Sequence, residues 1–94
     1  MDEHIAAAVR LRFPINAEAI VERASWDHIF FEICRDLAEA QTELDKWEAS
    51  SDPLAARRCT EYRQLIAELA KEIEDALVKA KVVQLRHPPV RGSR

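Results

Sequence analysis

Glycine is almost missing from this 94-residue chain. Only Gly92 is present, and the four prolines stand at Pro14, Pro53, Pro88 and Pro89. Sheets and loops need more turn chemistry than this, so a chain dominated by aliphatic residues, Ala, Glu, Lys and Arg is expected to be helical. Cysteine is equally sparse. Cys34 and Cys59 make neither a disulfide framework nor the paired spacing of a metal site. Long apolar runs are lacking too. The opening MDEHIAAAVRLRF begins on acids, where a signal peptide carries bases, and its apolar stretch is broken at Arg10 and Arg12. The chain therefore reads as cytosolic, with no membrane association. A net charge of −3 is too small to name a partner class.

What is present is punctuation and period. Asp52 is a good N-cap and Pro53 suits a first helical position, so a helix is predicted from about residue 53 until Pro88-Pro89 forbids it, near residue 86. Upstream, Pro14-Ile15-Asn16 is a second start, with Asn16 as cap and Glu18 and Glu22 in the early turns. That helix is expected to span about 17–49. The connection between the two is short, which predicts a long antiparallel helical hairpin.

The apolar spacing supports this reading. Trp26, Phe30, Ile33, Leu37, Ala40, Leu44 and Trp47 recur at steps of four and three, as do Ala55, Cys59, Tyr62, Ile66, Leu69, Ile73, Ala76, Ala80 and Val83. Each row is a heptad seam. Laid antiparallel, the rows set Trp47 against Ala55, Tyr62 against Ala40 and Trp26 against Ala76, large against small. Glu43 and Arg58 come level enough to pair.

Val78, Val82 and Leu85, with Ile20 and Val21, leave apolar surface at the open end of this hairpin. The N-terminal segment is expected to cover it as a short helix, using Ile5, Val9, Leu11 and Phe13. Its alternation over Val9–Phe13 would also suit a strand. Residues 1–87 thus form one helical domain, and 88–94 a disordered basic tail.

The two flanks of the seam differ. One carries Asp36, Glu43, Arg58 and Glu72, interrupted by Ile29 and Leu65, and reads as solvated. The other carries Phe31, Cys34 and Ala38 with Ala67, Ala70 and Leu77, a groove of small apolar residues suited to close helix approach. This groove is the expected partner interface. It would be filled most simply by a second copy in a dimeric four-helix bundle, or else by another protein or the chain's own N-terminal segment.

Catalytic chemistry has little to draw on. There is no Glu-x-x-His pair of the di-iron bundle type and no Gly-rich phosphate loop, and neither cysteine has a base at its level. His28 and Glu32 share an outer helix face, where a solvated pair is expected. Asp36 with Glu39 and Glu72 with Asp75 would converge on a cation only across a dimer. Bases collect at Arg10 and Arg12 and again at Arg86, Arg91 and Arg94, a possible nucleic-acid footprint weakened by acidic neighbours.

The reading is a small non-enzymatic protein-interaction module (adaptor, accessory subunit or inhibitor) needing no metal, cofactor or small-molecule substrate. A nucleic-acid-associated regulator and a metal-dependent hydrolase assembled across a dimer are the alternatives.

Overall fold

A computed structural model describes residues 1–86, with side chains for residues 1–79. The tail 88–94, the side chains of Ala80, Val82, Val83, Leu85 and Arg86, and those of Arg91 and Arg94 lie outside the described residues. Among the described residues every regular element is an α-helix: α1 (Glu3–Arg12), α2 (Ala17–Ala24), α3 (His28–Glu48) and α4 (Ala55–Arg86).

The N-terminal segment is helical, and the strand alternative is set aside. Asp2 caps α1 by accepting from the His4 backbone N–H at 2.7 Å, Glu3 lies in the first turn, and Arg10 and Arg12 lie in the last. Ile5, Ala6 and Val9 face inward at helical spacing, while Leu11, the residue that an alternating strand would have buried with Val9, is largely exposed.

The helix expected over 17–49 is divided. Ser25, Trp26 and Asp27 separate α2 from α3. The Asp27 carboxylate accepts from the Phe30 backbone N–H at 3.1 Å and from the Arg23 side chain at 2.9 Å, and Ser25 Oγ donates to the Glu22 carbonyl at 2.6 Å. Asp27 thus caps a new helix in the middle of an unbroken apolar period. Arg23 completes the junction, with its guanidinium 5.2 Å from the Trp26 ring and 5.1 Å from that of Phe30.

This break overturns one expectation. Trp26 precedes α3 and is 65 % exposed, so it is not nested against Ala76. Ile20 is covered, as expected of the N-terminal segment: α2 turns its Ala17, Ile20 and Ala24 face inward, and Ile20 shares one core with Ile5, Val9 and Phe13.

The Asp27 carboxyl is held below its ordinary value of 3.8, first by the Phe30 N–H and then by Arg23. Its contribution to stability is therefore complete above that ordinary value and is lost as pH falls through the lowered one. We expect Asp27→Asn to lower the urea midpoint at pH 7, and the gap from the native chain to close in strong acid. A gap unchanged by acid would remove the carboxylate from this role.

α3 and α4 make the most extensive contact in the molecule. The turn between them is organised by Asp52, whose carboxylate accepts from the Leu54 N–H at 2.8 Å and whose carbonyl accepts from the Ala55 N–H at 2.9 Å. Phe30, Leu37 and Leu44 on α3 and Cys59, Ile66 and Ile73 on α4, the residues one heptad apart, are all buried. Ala40 and Tyr62 lie together at the contact. Across it Arg63 bonds Glu48 at 2.9 Å, whereas the expected Glu43–Arg58 pair does not form. Glu43 holds Lys46 at 3.1 Å and Arg58 holds Glu61 at 2.9 Å, since partners one turn away on the same helix cost less chain ordering.

α1 packs against α3 and α2, and α2 against α3. The Thr42 hydroxyl, which donates to the Ala38 carbonyl at 3.1 Å, also lies 3.0 Å from His4 Nε2. That hydroxyl has one proton, so the imidazole is the donor between them. The N-terminal helices thereby form a layer on α3 at one side of its contact with α4, and nothing among the described residues forms one on the other side.

Candidate functional site

The six residues expected to line a partner groove are distributed unevenly. Cys34 and Ala38 are 0 % and 1 % exposed, and Ala70 is 2 % exposed. All three belong to the chain's own core beneath the α1–α2 layer. Phe31 and Leu77 are half-buried, packed against that core, and Ala67 is exposed. The close approach that small residues permit is thus used within the chain. Cys34, Ala38 and Ala70 have no surface left for a second copy, and Cys34 has no route to its own copy while α1 is in place.

The burial of Cys34 pushes its thiol up to about 11, and both cysteines are free. A thiol held protonated in an apolar core is a packing residue, not a nucleophile.

The uncovered surface is on the opposite side of the α3–α4 pair. On α3, Ile29, Ile33, Asp36, Ala40 and Glu43 follow the four–three spacing. On α4, Tyr62, Leu65 and Leu69 do the same and continue to Ala76. Asp36, Glu39, Ala40, Glu43, Tyr62, Leu65 and Leu69 enclose an open groove of about 340 Å³. Ile29 is 74 % exposed and Leu65 is 40 % exposed, and Ile33, Tyr62 and Ala76 are each half-buried at the same surface. A single exposed leucine is ordinary; a stripe of large apolar residues along the contact of two helices is what a third helix packs on.

Sequence reasoning named Ile29 and Leu65 only as interruptions of a solvated flank. The signal that marks them is the second four–three row beside the seam. It lends its inner members, Ile33, Ala40, Tyr62 and Leu69, to the α3–α4 contact and leaves its outer members in solvent.

The basic positions fare differently. Arg10 is ion-paired to Glu3 and borders a shallow depression that it shares with Glu18 and Glu22. Arg12 lies over the Phe13 ring, 5.8 Å from its centroid. Acids at these distances cancel most of the field that phosphate binding needs. Arg86, Arg91 and Arg94 lie outside the described side chains.

No three His, Cys, Asp or Glu side chains converge as a metal site would require, among the described residues. His28 and Glu32 meet at 3.0 Å on the outer surface, with His28 stacked near Phe31, and Asp75 is held by Lys71 at 3.2 Å. No helix among the described residues is long and apolar enough to cross a membrane. In comparisons with protein-family models, curated proteins and solved structures, nothing matches this chain.

Proposed function

We propose that this chain is a non-enzymatic protein-interaction module, an adaptor, accessory subunit or inhibitor, whose working surface is the open α3–α4 face. The observation that carries the reading is the apolar groove of Tyr62, Leu65, Leu69 and Ala40 on that face, continued by exposed Ile29. The α1–α2 layer already covers the other side of the pair. A helix laid in the groove gives the pair a layer on both sides, whether it comes from a second copy in a helical bundle or from a different protein.

Fully burying a Leu or Ile side chain is worth about 1.5–3 kcal/mol; Ile29, 74 % exposed, realises little of that in the isolated chain, and Leu65, 40 % exposed, only part. The remainder is therefore available to a partner and is not spent on the fold.

Two substitutions test the face against the groove expected from sequence. Leu65→Glu and Ile29→Glu place a charge on the open face, and Ala67→Glu places one on the other flank. All three positions are exposed, so the fold should be retained in each. Complex formation, read as mass by sedimentation alone and with candidate partners, should weaken by at least about tenfold for the first two and be unchanged for the third. Loss confined to Ala67→Glu would return the interface to the opposite flank.

A further inference from the structure

Resting on that reading of the open face, we infer that its occupant is a cationic amphipathic helix of another protein rather than a second copy of this chain. The groove has an apolar floor and an acidic rim. Tyr62, Leu65 and Leu69 form the floor, Asp36, Glu39 and Glu43 stand along the α3 edge, and no Lys or Arg lines it. Of the three acids, Glu43 holds Lys46 at 3.1 Å, and Asp36 and Glu39 are in no ion pair among the described residues. On α4, Arg58 lies one turn from Tyr62 and is held by Glu61 at 2.9 Å.

A self-complementary contact sets a surface patch against itself, and no Lys or Arg lines this groove, so a dimer through the open face would strip water from two acidic edges and supply neither with a counter-charge. A helix with Lys or Arg flanking its apolar stripe meets the same edge with opposite charge. It can exchange hydration for charge-assisted hydrogen bonds at Asp36 and Glu39. Uncompensated desolvation of the acids works against the second copy, and charge complementarity works for the cationic helix.

The face also sets the length of the ligand. From Ile29 to Glu43 along α3 is about 21 Å at ~1.5 Å per residue, roughly four turns. The matching ligand carries apolar anchors at i, i+4, i+7 and i+11, spaced to follow the row on α3, with bases on the side that lies against α3.

Two synthetic helices of about 18 residues, long enough to hold helical structure, test this directly. Both carry leucines at those four positions; one has Lys and the other Glu at the flanking positions. Fluorescence anisotropy against the full-length chain should show the Lys peptide binding at least about tenfold more tightly, with the preference shrinking as salt rises. The double substitution Asp36→Lys/Glu39→Lys should reverse it. Equal binding of the two peptides, preference for the Glu peptide, or binding of neither overturns the inference.

The two proposals fail in different ways. A dimer mass in light scattering that Leu65→Glu abolishes would keep the open face as the interaction surface and replace the cationic helix by a second copy. Lys-peptide binding that Leu65→Glu leaves unchanged would instead remove the open face itself.

Discussion

Phe30→Ala is expected to cost about 3–5 kcal/mol of folding stability, the range for truncating a buried aromatic side chain. Phe30 is 2 % exposed and lies one turn into α3. It joins the two halves of the core. Ile73 and Leu37 are buried in the same cluster, and the Arg23 guanidinium lies 5.1 Å from the ring centre on the α2 side. Removing the ring would leave a cavity between α3 and α4 and deprive the α2–α3 junction of its packing surface. For a domain whose whole stability is expected to be on the order of 5–15 kcal/mol, with small chains at the low end, the variant should be substantially unfolded near 37 °C. Circular dichroism with urea titration reads the effect directly. Ile15→Ala is the control, since that side chain is 91 % exposed and its loss should stay within about 0.5 kcal/mol. Equal midpoints for the two variants would mean that the seam does not carry the fold.

Val9→Asp should have the second-largest effect, and a local one. Val9 is fully buried on the inner face of α1, where a carboxylate would lose its water with no described partner to replace it. The cheapest escape is for α1 to leave α3, which takes the cover from Cys34 and Ala38. In a Cys59→Ala background, Cys34 is then the only thiol. Burial holds it at about 11 in the native chain, against an ordinary value of 9.0. Returning it to the ordinary value raises the thiolate fraction near pH 8 about 100-fold from ionisation alone, before any gain in access. Alkylation by iodoacetamide, followed by mass spectrometry, should accelerate by at least that factor while α3 and α4 stay helical. A rate that does not change would show that something other than α1 shields Cys34. The same variant bears on function: it should create a second sticky surface on the flank where none is open in the native chain, and raise the tendency to aggregate.

Most of the helical architecture is legible in the sequence, because it is written in local chemistry. Near-absence of glycine, the Asp52-Pro53 start and the four–three spacing each act over a few residues. The backbone answers them with α4 and with the heptad positions Phe30, Leu37, Leu44, Cys59, Ile66 and Ile73 buried as expected. The N-terminal helix was legible through Ala6-Ala7-Ala8, even though Val9–Phe13 also alternates like a strand. Helix capping by Asp2 and the exposure of Leu11 resolve that conflict in favour of α1.

The division at Asp27 was not legible. Asp27 is an ordinary N-cap residue, but an apolar period running from Trp26 through Phe30 to Ile33 passes over it without a gap. Only the hydrogen bonds from Phe30 and Arg23 make the break worth its lost helical turn. The consequence spreads outward. Once the chain bends there, α2 and α1 come to lie on the flank of small residues, and Cys34, Ala38 and Ala70 become core.

What the sequence alone determined, then, is that this protein is helical, where the outer ends of the stretches 17–49 and 53–86 fall, and which heptad positions of α3 and α4 are buried, because caps, prolines and periodicity act between near neighbours. The flank of small residues is also marked by sequence as the one to be covered, and the flank of Asp36 and Glu43 as the one left to water. What covers the first flank was decided by tertiary structure: the path of the chain through Ser25–Asp27 brings α1 and α2 against α3, and Cys34 and Ala38 become core. Caps and periodicity cannot encode that choice, because it rests on contacts between residues far apart in the chain.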